Sequence, residues 1–199
     1  MRKIGNSIAS LATIGALFAT LTVVTASASA SEGRGGHAVS DRARPAAADH
    51  VHAADHRAAR MLASHNEERA RLRLPPLKWN RHLEREAAEW ATQLGHLGRL
   101  QHASRAVRNG TGENLWMGTA GYWDVETMVG MFIEERRHYR HGNFPDISHT
   151  GNWSDVGHYT QVIWRDTKEV GCALVTTRGN DVLVCRYWPA GNVWGAKAY

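Results

Sequence analysis

Apolar residues recur at three- and four-residue spacings through "AARMLASHNEERARLRL", where Ala58, Leu62, His65, Arg69 and Leu72 share one side. That spacing predicts a helix beginning near Ala58 and stopped by Pro75-Pro76. A second stripe, Leu83, Ala87, Trp90, Leu94 and Leu97, lies opposite Glu84, Arg85 and Glu89. It predicts a helix over 81–97, with Gly98 placed to end it. From Gly98 to Gly121 glycine and polar residues dominate, so the stretch holding "LQHAS" and "TGENLWMG" reads as a loop. Val125, Met128, Val129 and Phe132 then mark the buried arc of a third helix over 123–140.

The last third of the chain changes period. "HGNFPDISHTGNWSDVG" is a long run of turn formers carrying two aromatics, Phe144 and Trp153, and loops of this length in compact domains are often functional. In "VGHYTQVIWRD", Tyr159, Gln161, Ile163 and Arg165 alternate with His158, Thr160, Val162 and Trp164, which predicts a strand. "EVGCALVTT" and "VLVCRYWP" flank the turn residues "RGND" and predict a hairpin. If the hairpin is symmetric about Arg178-Gly179, Cys172 and Cys185 face each other at a separation that suits a disulfide. The alternative is a pair of buried free thiols.

The N-terminus bears on the choice. Arg2 and Lys3 precede an uncharged apolar run from Ile8 to Val24, and "TASASASEG" follows with small-residue cleavage sites after Ala28 or Ala30. This is the pattern of a secretory signal peptide over 1–30; the rival reading is an uncleaved anchor, for which the run is short and diluted. Export places the cysteines in an oxidising compartment, which favours the disulfide. Residues 31–57, rich in Ala, Gly, His, Arg and Asp, offer almost nothing to bury and read as a flexible linker before a domain over 58–199.

Composition adds limits. The formal net charge of +5 falls to +3 once Arg2 and Lys3 leave with the signal peptide. So mild a balance, with no long basic block, does not point to nucleic acid. With the signal peptide removed, no membrane span is expected in the mature chain.

Four polar residues stand beside glycine or at segment ends among apolar neighbours: His102, Glu113, Glu135 and His158. Each alone is an ordinary hydrogen-bonded or solvated residue. On a helical wheel Glu135 falls near Met128, Phe132 and Tyr139, whereas Glu134 points the other way.

"HNEERARLRLPPLKWN", "TGENLWMG", "GHYTQVIWRDTKEVGC" and "LVCRYWPAGN" resemble, in order and spacing, the signature segments of the CAP superfamily. That family comprises cysteine-rich secretory proteins, venom antigen 5 and plant pathogenesis-related protein 1. The ending "YWPAGNVWGAKAY" is most similar to the pathogenesis-related branch. The resemblance implies an α+β fold: an α-β-α sandwich with a small, mostly antiparallel sheet between helical layers. It also implies that His102, Glu113, Glu135 and His158 converge in one cleft. Two departures stand out: Phe132 occupies a position that is usually tryptophan, and the two cysteines allow one disulfide where many relatives carry three.

Two imidazoles suit Zn²⁺ or another divalent cation, bound weakly because coordination positions stay open. Glu113 and Glu135 are candidates as metal ligands, as groups orienting the histidines, or as catalytic acid and base. Two function classes follow. One is a secreted, non-enzymatic protein binding a lipid, a sterol or another extracellular surface ligand. The resemblance implicates the loop over 139–157, with Phe144 and Trp153 as its apolar contacts. The other is a metal-dependent extracellular hydrolase, peptidase-like, using the same cleft. The chain has neither a Gly-x-Ser-x-Gly elbow nor a His-Glu-x-x-His element, which argues against serine hydrolases and zincins alone.

Overall fold

A computed structural model describes residues 46–199. The predicted signal peptide, and the predicted linker as far as residue 45, lie outside that range. Helix α1 spans Ala46–Arg71, so the helix reaches twelve residues further back than the sequence predicts. Residues 46–57 are mostly exposed where their burial is described, which is why no apolar stripe announces them. Alanine-rich sequence propagates an existing helix at little cost without burying anything.

Strand β1 (Lys78–Trp79) precedes α2 (Arg81–Leu97), whose bounds match the prediction. The Asn80 side chain caps α2 by accepting from the His82 and Leu83 amides at 2.8 and 3.3 Å. Gly98 ends it in the left-handed region, with φ 67°, and returns its amide to the Leu94 carbonyl. The short α3 (Arg105–Arg108) follows, and then a strand, β2 (Gly112–Thr119), where the sequence reads as loop. Helix α4 (Val125–Glu134) passes into a 3-10 turn at Glu135–His138, shorter than the single helix predicted.

The stretch from Val156 to Asp166 is not a strand. A 3-10 turn at Trp153–Val156 leads into α5 (Gly157–Val162). Every residue from Tyr159 to Trp164 is buried, so the alternation of polar and apolar residues there marks no solvent face. The Thr160 hydroxyl donates to the Val156 carbonyl at 3.0 Å, a local bond available only in the helical turn.

Strands β3 (Glu169–Thr177) and β4 (Asn180–Trp188) form the predicted hairpin, with Cys172 opposite Cys185 and the two joined by a disulfide. The sheet order is β1-β3-β4-β2, antiparallel except for the β1–β3 pair. Alternation along the strands builds two cores. Leu115, Val182 and Val184 meet Ala87, Ala91 and Leu94 of α2 on one face. Cys172, Leu183, Cys185 and Tyr187 pack with residues of α1, α4 and α5 on the other. The molecule is thus the α-β-α sandwich that the resemblance implies. No described helix is long and apolar enough to cross a membrane.

Candidate functional site

Strand β2 places the site by its pleat. Successive residues Glu113 and Asn114 leave opposite faces of the edge strand, so one reaches the layer of α2 and the other the layer of α5. Glu113 Oε1 lies 2.6 Å from His102 Nδ1 and accepts from the Ala103 amide at 3.0 Å. Its Oε2 lies 3.2 Å from Arg186 Nη2, an ion pair without an aligned hydrogen bond. Arg186 faces Glu113 in the β2–β4 register and is buried. Burial holds its guanidinium below the ordinary arginine range, against the pull of the Glu113 charge.

The second arm repeats the motif on the other face. Glu135, at the first residue after α4, turns inward as the wheel predicts, while Glu134 is exposed. Its Oε1 lies 2.6 Å from His158 Nδ1, and its Oε2 accepts from the amides of His158 and Tyr159 at 2.9 and 3.1 Å. These two amides open α5, so the carboxylate caps that helix as well as fixing the ring. Phe132 stacks on the His158 imidazole, with ring centroids 5.1 Å apart and planes at 27°. A phenyl ring thus fills the position where tryptophan is usual. Asn114 donates to the His158 carbonyl at 3.0 Å and ties the arm back to β2.

Both histidines line one cavity of about 280 Å³, together with Glu113, Asn114, Trp153 and Asn192. With both Nδ1 atoms at carboxylates, the neutral form of each ring places its hydrogen on Nδ1 and its lone pair on Nε2, which makes no hydrogen bond among the described residues. The four predicted residues therefore sit as two His–Glu pairs around one opening. Of the two loop aromatics, Trp153 lines this cavity and is 41% exposed, whereas Phe144 is buried at 2% and packs in the core.

Sequence reasoning missed Arg186, Asn114 and Asn192. Arg186 did leave a signal, as a lone charge inside the apolar run "VLVCRYW". Among the described residues, the one group of three or more His, Cys, Asp or Glu whose ligand atoms all lie within 4.8 Å of one another is His65 with Cys172 and Cys185; the four cleft residues are not drawn together that closely. Its sulfurs are joined in the disulfide and present no thiolate.

Residues 62–187 match the model of the cysteine-rich secretory protein family, CAP. The chain is 33% identical to a pathogenesis-related protein of maize over 141 residues, covering 69% of this chain and 80% of that one. It is 34% identical to pathogenesis-related protein 1B of tobacco, covering 69% and 78%. The crystal structure of NaASP2 with Zn²⁺ shares its fold at a TM-score of 0.59 and 24% identity, over 70% of this chain and 83% of that one. The chain belongs to the CAP family, in its pathogenesis-related type.

Proposed function

We propose that the chain is a secreted, non-enzymatic binding protein whose cleft holds a divalent cation, zinc above all, between His102 and His158. Its ligand is a lipid, a sterol or another extracellular surface component, met by the loop that carries Trp153. The observation that carries this reading is the double His–Glu pairing. A carboxylate on Nδ1 fixes the tautomer and raises the basicity of Nε2, the arrangement that metal-binding histidines use. Two such nitrogens supply half of a tetrahedral zinc site and leave the remaining positions to water or ligand.

The same geometry weighs against the hydrolase reading. A general base needs an oxygen free to take a proton from a substrate or a water. Glu113 is buried and divided between His102, the Ala103 amide and Arg186. Glu135 is divided between His158 and two amides. Glu135 is thus occupied as a positioning group, and the second oxygen of Glu113 is buried beside Arg186, away from a substrate. The disulfide is consistent with export, because such bonds persist in oxidising compartments.

Glu135→Gln tests the pairing. It keeps the shape of the side chain but lets an amide donate to Nδ1, which moves the ring proton to Nε2 and blocks the metal. Zinc affinity, measured by titration calorimetry, is expected to fall about 10–100-fold. Equal affinity in wild type and variant contradicts the assigned role, and turnover of a peptide or ester panel that is lost on chelation contradicts the non-enzymatic reading.

A further inference from the structure

The part of α1 that reaches back beyond the predicted domain start carries "DHVHAADH", the histidine-rich end of the segment that reads as a linker. In a flexible chain these rings would have no fixed relation to one another. In a helix they do. His52 and His56 stand four residues apart, so their Cβ atoms lie about 5–6 Å apart on one side of α1. Two histidines at that spacing on a helix can close on one metal ion. His50 has no such mate, because the positions three and four residues to either side of it are all alanines.

The pair faces away from the core. Ala58, Met61, His65 and Arg69 are buried and mark the side of α1 that packs on the sandwich. At 3.6 residues per turn His52 and His56 fall on the opposite side with Ala59 and Ala63, and all four are exposed. The two alanines leave the space beside the rings open. Neither imidazole makes a hydrogen bond or ion pair among the described residues, and the adjoining Asp55 carboxylate is paired instead with Arg81 at the start of α2.

That ion pair ties the outer turns of α1 to the sandwich, and a second, between Arg60 and Glu126 of α4, does so one turn further on. The two rings therefore ride on a braced helix. Much of the ordering that a loose histidine tract must undergo on binding is already in place.

The donor set points to one metal. Two imidazoles on an open face leave the other coordination positions to water, and nitrogen with oxygen in a tetragonal arrangement suits Cu²⁺. Cu²⁺ also heads the affinity order of the divalent first-row ions. Zn²⁺ stands lower and favours a closed tetrahedron, which this face does not supply. We infer that His52 and His56 form a surface Cu²⁺ site on α1. It shares no residue with the cleft and does not depend on the reading of the cleft.

Cu²⁺ titrated into the full chain carrying His102→Ala/His158→Ala, in a glycine buffer that keeps the ion soluble, isolates the helix pair. Calorimetry is expected to show one saturable Cu²⁺ equivalent, with Zn²⁺ weaker by about tenfold or more and unsaturated over the same range. Adding either His52→Gln or His56→Gln is expected to weaken Cu²⁺ by about tenfold or more, because the second imidazole then no longer binds as an intramolecular step. His50→Gln is expected to change nothing. Ala54→Pro interrupts the helix between the two rings and is expected to weaken Cu²⁺ as much as the loss of one histidine. The absence of a saturable step, or a step that survives loss of His52 or His56, overturns the site. A step untouched by Ala54→Pro, or weakened equally by His50→Gln, overturns the helical pairing, and Zn²⁺ bound as tightly as Cu²⁺ overturns the choice of metal. Each of these results leaves the cleft reading standing.

Discussion

Arg69→Met is expected to lower the free energy of unfolding by about 3–5 kcal/mol, because it strands the carbonyls of Pro75, Val162 and Thr167, which have no other donor among the described residues, and takes from the Trp164 carbonyl one of its two donors. Arg69 is fully buried in α1 and pairs with no carboxylate. Instead its Nε donates to the Pro75 carbonyl at 2.8 Å, and Nη1 donates to Val162 and Trp164 at 3.0 and 2.8 Å. Nη2 donates to Thr167 at 3.2 Å. Burial pulls its pKa down to about 10, which leaves it charged at neutral pH. One cation thus gathers the chain after α1 and the chain after α5, the helix that carries His158. Methionine keeps most of the volume, so the loss reports hydrogen bonds rather than a cavity. Urea denaturation at pH 7 measures it, and a loss below about 1 kcal/mol contradicts the assigned role.

Acid is expected to destabilise the fold through His65. Its Nδ1 donates to the Met61 carbonyl at 2.7 Å, and its Nε2 accepts from the Tyr187 hydroxyl at 2.8 Å. The Tyr187 oxygen in turn accepts from Asn114 Nδ2 at 3.2 Å, the same amide that holds the His158 carbonyl. This chain of donors needs a neutral imidazole. Desolvation lowers the His65 pKa to about 4, helped by the Arg69 charge and opposed by the bond to Met61. The unfolded chain titrates near 6.5, so below that pH it binds the proton that the folded state refuses. Stability is full above about pH 6.5 and falls towards pH 4, by about 3 kcal/mol in all. Denaturation from pH 7.5 to 4.5 in chelator is expected to show this slope in wild type and a flatter one in His65→Gln. Parallel slopes contradict it.

Much of the frame is legible in the chain, and the failures share one cause. Helix α2 and the β3–β4 hairpin each carry a clear period: α2 shows one face to solvent, and symmetry about the turn sets the hairpin register. Strand β2 and α5 do not. Leu115 and Trp116 are both buried, on opposite faces of the sheet, and α5 is enclosed over its whole second half, so neither displays an inside and an outside. Burial on all sides erases the periodicity that sequence reading depends on.

The site divides in the same way. The resemblance and the segment ends mark the four residues, and the helical wheel turns Glu135 inward. The pairing of each glutamate with one histidine is a fact of long-range geometry. Glu135 and His158 lie 23 residues apart on elements that meet only in the folded sandwich. Arg186 becomes visible as the partner of Glu113 only once β2 is known to be a strand and its register with β4 is set.

The central claim is that two oriented imidazoles make the cleft a cation site. Titration of zinc into metal-stripped full chain, wild type against His102→Ala/His158→Ala, tests it most directly. Expected is a saturable one-to-one step in wild type that disappears in the double variant while circular dichroism stays unchanged. The surface and linker histidines then supply only an unsaturable background common to both. A saturable step that survives in the double variant, or none in wild type, contradicts the claim.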